Sequence, residues 1–107
     1  MKTILRCALI SVAACMTSIA LAADQPDGAA LFKTKCSMCH GADGKGFAAL
    51  KTPDFTDPKW QGSKSDKEIA SVIKNGKQGT MMQAFGNQLK DDEIDALVKE
   101  IRSLRKK

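Results

Sequence analysis

The chain has 107 residues, 17 Lys and Arg against 12 Asp and Glu, a formal net charge of +5 and no tyrosine. That length holds one domain, and the scattered charges, without a basic groove interleaved with aromatics, exclude a nucleic-acid binder. Only four cysteines are present, and Cys7 and Cys15 fall in an apolar leader, so no disulfide framework is expected.

Lys2 and Arg6 form a short basic start, and no further charge appears before Asp24. The run from Cys7 to Ala22 is apolar or small and ends in Ala20-Leu21-Ala22, which suits a signal peptidase. Residues 1–22 are therefore expected to be a secretory signal cut after Ala22, with residues 23–107 as the mature domain in the periplasm. An uncleaved anchor is the alternative, but the run is short for a spanning helix, and no stable membrane insertion is expected. Val12-Ala13-Ala14-Cys15 resembles a lipobox, but apolar sequence continues past it to a better cleavage site. Cleavage removes two basic residues and no acids, taking the net charge from +5 to +3, and leaves Cys36 and Cys39 as the mature cysteines. So short a chain has trouble burying enough apolar surface unless something else fills its centre.

Asp27 can cap a first helix over residues 28–36, with Ala29, Leu31 and Phe32 among its apolar positions. A loose stretch follows from Gly41 to Lys64, broken by one short turn from Asp57-Pro58 to about Trp60. Ser65-Asp66-Lys67-Glu68 reads as a capping box for a helix over 66–75, with Ile69, Val72 and Ile73 on one face and Gly76 as its stop. Residues 76–90 are irregular. A last helix over 91–105 carries Ile94, Leu97, Val98, Ile101 and Leu104 at helical spacing. Asp91, Asp92 and Glu93 open it and basic residues close it, as the helix dipole prefers. No segment alternates like a strand. The fold class is all-α, three main helices plus short turns.

Cys36-Ser37-Met38-Cys39-His40 is C-x-x-C-H, the attachment pattern of c-type haem. Two thiols three residues apart reach two vinyl groups on one porphyrin edge, and the next histidine offers a nitrogen to the iron. A structural zinc site needs four ligands, and His40 is the only histidine. A thioredoxin-like pair needs a βαβ context that is absent, and a Cys36–Cys39 disulfide closes too small a loop to stabilise much. A second axial histidine is impossible, so methionine is the remaining axial donor. Met1 and Met16 leave with the signal and Met38 lies inside the attachment loop, which leaves Met81 and Met82. The bland reading of either is a gap-filling core methionine.

These features together resemble the small bacterial class I monohaem cytochromes c. The resemblance runs from Gly28-Ala29-Ala30-Leu31-Phe32 through the Cys36–Gly41 motif, Gly44-Lys45-Gly46, Ile73-Lys74-Asn75-Gly76 and Met82-Gln83-Ala84-Phe85-Gly86 to the helix Asp91–Leu104. It implies a cytochrome c-like fold wrapped around one covalent haem c. It also implies a single-electron carrier with no substrate chemistry, a monomer docking transiently with larger redox proteins. The family often has Met-Pro-x-Phe at the ligand loop; aligning on Phe85 makes Met82 the axial ligand, with Met81 as runner-up and Gln83 in the proline position. Losing that proline is expected to loosen the loop and the iron–sulfur bond.

The same resemblance assigns the Pro53 carbonyl as acceptor for the far nitrogen of His40, and directs the Trp60 indole toward a haem propionate. Leu31, Phe32, Ile73, Phe85, Leu97 and Ile101 would form the apolar ring around the haem. Gly28 and Phe32 would meet Leu97 and Ile101 where the first and last helices cross. Glu100 and Lys90 depart from the pattern, which often has an aromatic and a capping serine there. Three rival functions stand beside the carrier: a five-coordinate haem protein with peroxidase or gas-binding activity, a dedicated subunit of an oxidase or dehydrogenase complex, and a non-haem interaction domain.

Overall fold

The computed structural model describes residue 13 and residues 25–107, so the expected signal segment and its cleavage site lie outside the described residues. Among the described residues every regular element is helical and none is a strand.

The first helical stretch has three parts: α1 (Gly28–Leu31), a π-helical segment (Phe32–Cys36) and α2 (Ser37–His40). Asp27 caps it by accepting from the Ala30 N–H at 3.1 Å. The widening has a local cause. Thr34 Oγ1 donates to the Ala30 carbonyl at 3.0 Å, and Ser37 Oγ donates to the Lys33 carbonyl. With the Lys33 carbonyl engaged by a hydroxyl, the Ser37 N–H reaches back to Phe32 instead. The stretch therefore extends to His40, four residues beyond the limit expected from sequence, and stops at Gly41, whose φ of 80° suits glycine.

A single 3₁₀ turn covers Ala48–Leu50. Helix α3 (Pro58–Ser63) starts as expected, with Asp57 accepting from the Lys59 N–H at 2.9 Å, but runs past Trp60. Helix α4 (Asp66–Asn75) matches its expected bounds, capped by Ser65 and ended by Gly76. Helix α5 (Asp91–Ser103) begins where expected and ends slightly early. The Lys90 N–H donates to Glu93 Oε1 at 2.9 Å. This is the return half of a capping box only, because a lysine ammonium cannot accept a bond.

Helix α5 packs against both α1 and α4. The core holds Phe32, Phe55, Ile69, Ile73, Phe85, Leu89, Ile94, Leu97, Val98 and Ile101, with Leu97 wholly buried. The crossing of α1 and α5 is so close that a Cβ on Gly28 would run into the Ala96 carbonyl, with the Glu100 Cβ 3.3 Å away. Glu100 thus lies beside the crossing glycine, where the resemblance led one to expect an aromatic one residue before Ile101.

Gly28→Ala should destabilise the holoprotein by about 1–3 kcal/mol through overpacking at this crossing. Gly62→Ala in α3, where a Cβ meets nothing within 4 Å, should stabilise it by about 0.5–1 kcal/mol. Denaturant unfolding of the two variants beside the wild type measures both.

Candidate haem-attachment site

Cys36, Cys39 and His40 lie on one continuous helical path, with Cys36 at the end of the π-helical segment. Both cysteines are free; Cys36 is half-buried and Cys39 exposed. Burial, helped by the nearby Cys39, pushes the Cys36 thiol up to about 11. Burial lowers the proton affinity of His40, favouring the neutral imidazole that ligates metals. The His40 ring stacks on Phe55 with centroids 4.7 Å apart and planes at 21°. Its Nδ1 is buried and has no hydrogen-bond partner.

The Pro53 carbonyl, expected as the acceptor for that nitrogen, makes no hydrogen bond to it here. The carbonyl packs against Gly46, where a Cβ would come within 2.8 Å of it. Gly46 also donates its N–H to the His40 carbonyl at 2.8 Å, so the turn after the motif is pinned at its backbone while the imidazole leans on Phe55. Trp60 is half-buried and tilts against the other contact partner of His40, Phe55, at 4.8 Å; its indole donates to no protein acceptor among the described residues.

The two candidate methionines differ sharply. Met81 is 80% exposed. Met82 is half-buried and packs against the core. Its carbonyl accepts from the Lys77 N–H at 3.2 Å, and its own N–H donates to Thr80 Oγ1 at 3.2 Å. The following residues are tied to α4 through Phe85 to Ile73 and Gly86 to Lys74, at 2.9 and 3.0 Å. Backbone bonds brace this loop in place of the missing proline, so the looseness expected from Gln83 is absent from its hydrogen bonding.

The donor set fits a covalently attached haem. Two free thiols sit one helical turn apart, a neutral imidazole follows directly, and one partly buried thioether faces the same core. Of the residues expected to form the apolar ring, Phe32, Ile73, Phe85, Leu97 and Ile101 are buried in one core and Leu31 packs against it.

Comparison with known proteins bears on the same residues. The family model described as cytochrome c oxidase, cbb3-type, subunit III matches residues 23–99. Cytochrome c6 of Synechococcus sp. is 33% identical over 93 residues, 87% of this chain and 81% of that protein. The chain belongs to the class I c-type cytochromes. It therefore binds one haem c covalently and takes part in electron transfer. The cbb3-type cytochrome c oxidase subunit FixP of Rhizobium meliloti is 31% identical over 86% of this cytochrome, which spans only 33% of that longer protein. Among solved structures, the KustC0563 c-type cytochrome aligns with a TM-score of 0.70 and 35% identity, covering 75% of this chain and 99% of that one.

Two features of the cytochrome escaped sequence reasoning. Phe55 touches Phe32, His40 and Trp60 at once, and its only sequence signal was an aromatic two residues after Pro53. Arg102, which sequence grouped with solvated charges at the helix end, is a clasp. Its Nη1 donates to the Gln61 carbonyl at 2.7 Å and to Gln61 Oε1 at 2.9 Å, Nη2 reaches the Lys64 carbonyl, and Nε pairs with Asp66 at 2.7 Å.

Arg102→Met should cost about 2–3 kcal/mol because it strips charge-assisted bonds from buried Gln61. Asp66→Asn, on the exposed side of the clasp, should cost under ~1 kcal/mol. Denaturant midpoints at neutral pH separate them. Beside the site, the Thr56 hydroxyl and then the Thr56 N–H, at 2.6 and 2.9 Å, hold the Asp54 carboxyl below its ordinary value of 3.8. Its folded affinity for protons is depressed, so its stabilising contribution is complete above that ordinary value and fades as pH falls through the lower folded one. Thr56→Val should move the Asp54 titration upward, as followed by carboxyl-carbon NMR.

Proposed function

We propose that this cytochrome is a soluble periplasmic carrier of single electrons, with thioether bonds to haem at Cys36 and Cys39 and axial ligation by His40 and Met82. The observation that carries the reading is that Cys36, Cys39 and His40 follow one helical path, with Cys36 and Met82 packed against one apolar core and His40 stacked on its Phe55. When bound, haem iron supplies the one-electron couple. The chain supplies the rest. Cys36 and Cys39 fix one ring edge; His40 and Met82 would hold two positions on the metal in both oxidation states, which leaves no open position for substrate. Phe32, Phe85 and Leu97 exclude water, which favours a higher potential. Trp60, with its indole free of protein acceptors, is the residue placed to meet a propionate. Pro53 serves by packing the turn at Gly46, and would accept from His40 only after a local shift.

Several observations support secretion and mobility. The family match starts at residue 23, directly after the proposed cut. No helix among the described residues is long and apolar enough to cross a membrane. The likeness to a cytochrome c6, 33% identical over 87% of this chain, supports a free carrier, acting as a monomer through brief contacts with redox proteins. The second reading, a subunit of an oxidase complex, draws on the name of the matching family model.

Purified holoprotein should keep its colour through acid–acetone extraction and show the methionine–iron charge-transfer band when oxidised. Met82→Ala should abolish that band and open the reduced protein to fast carbon monoxide binding, whereas Met81→Ala should do neither. A band lost in Met81→Ala instead would reassign the ligand. Stoichiometric co-purification with an oxidase at physiological ionic strength would favour the subunit reading.

A further inference from the structure

We propose that the turn over residues 47–50, flanked by Lys45 and Lys51, is a docking knob for a redox protein that presents an apolar recess rimmed by carboxylates. The inference rests on the carrier reading and goes beyond it, because it names a surface and the chemistry of what meets it. Phe47, Ala48, Ala49 and Leu50 are all exposed, the longest apolar run on the surface among the described residues. Phe47 is 46% exposed and Leu50 39%. A single exposed apolar residue needs no explanation, but a contiguous run marks a contact surface.

The turn is held in shape by its own bonds. The Gly46 N–H donates to the His40 carbonyl at 2.8 Å, which fastens the turn to the end of the attachment segment. The Phe47 N–H donates to Thr52 Oγ1 at 2.7 Å and closes the base. The Leu50 N–H donates to the Phe47 carbonyl at 3.0 Å, and the Lys51 N–H to the Ala48 carbonyl at 3.1 Å. These donors are answered inside the turn, so entry into an apolar recess does not strand them. Lys51 takes a φ of 53°, the only positive φ outside glycine among the described residues. Glycine would sit there with less strain, so the lysine is kept against a backbone cost. Lys45 and Lys51 are both exposed, and neither joins the ion pairs among the described residues, Lys74–Asp91 and Arg102–Asp66. Two free cations beside an apolar tip match an acidic rim around an apolar recess. A symmetric dimer through this turn would set lysines against lysines, and the run is far smaller than the ~20–30 residues a side of a stable interface. A bilayer fits poorly as well: one myristoyl chain gives only marginal membrane binding, and Phe47 and Leu50 together bring fewer carbons. A brief protein contact needs no more than this.

The test uses holoprotein on gold electrodes coated with a mixed methyl- and carboxylate-terminated monolayer, or with a pure carboxylate monolayer of equal length. The monolayer is the probe, and the readout is the interfacial electron-transfer rate. Wild type should exchange electrons faster on the mixed layer than on the pure one. Phe47→Ser/Leu50→Ser should lose that advantage, slowing by about tenfold on the mixed layer and little on the pure one. Lys51→Gly should slow on both layers at low salt and match wild type at high salt. It should also melt no lower than wild type, because glycine relieves the backbone at that position, and it serves alone if the double variant does not fold. Wild-type rates for Phe47→Ser/Leu50→Ser on the mixed layer, or for Lys51→Gly at low salt, would overturn the inference. So would binding of wild type to vesicles of phosphatidylcholine and phosphatidylglycerol that the double variant loses, or a dimer in sedimentation that it disperses. Wild type without a reversible wave on either layer would instead overturn the carrier reading beneath it.

Discussion

The tight crossing of α1 and α5 at Gly28 and Ala96 is the constraint from which the rest follows. It joins two segments far apart in sequence, and it can form only because residue 28 has no side chain. Once closed, it brings Phe32 and Leu97 into one core and starts the helical path that delivers Cys36, Cys39 and His40. The long connections between have to wrap the remaining space. They do so with few regular elements, held by backbone bonds from Phe85 and Gly86 to the end of α4, by Lys106 N–H to the Thr56 carbonyl, and by the Gln61 side-chain amide to the Ile101 carbonyl.

Fold class and helix positions were legible in the sequence because they rest on local rules. Ser65 and Gly76 bracket α4 as capping chemistry dictates, and the apolar stripe of α5 is buried at Ile94, Leu97, Val98 and Ile101. The failures were of two kinds. The π-helical segment depends on whether the Thr34 and Ser37 hydroxyls bond backwards or face water, a choice that periodicity does not encode. The Arg102 clasp joins residues some forty positions apart, and a basic residue in a last helical turn looks the same in sequence whether it complements the dipole or grips another element.

The attachment residues were legible for a different reason. Covalent chemistry on one porphyrin edge demands thiols and an imidazole contiguous in the chain, so the motif survives without any knowledge of tertiary structure. The proposed axial methionine is narrowed to two neighbours by elimination, and burial favours Met82, packed against the core, over the exposed Met81. The role of Pro53 belongs to the next level of detail. A proline near the site could be seen, but whether its carbonyl faced Gly46 or the imidazole depended on the turn between Gly41 and Gly46.

Charge distribution joins the scaffold to its role. Asp27, Asp92, Asp95 and Glu100 line the groove where α1 meets α5, relieved by Lys99. Part of this acidity has a structural cause, since carboxylates at helix starts complement the dipole. The chain is nonetheless net basic, so the positive excess is displaced onto the remaining surface, where Lys33 and Lys35 flank the attachment segment. A protein whose helix caps concentrate acid at one end acquires a dipole without any residue being spent on it. Such a field orients a diffusing partner before contact and weakens as salt screens it.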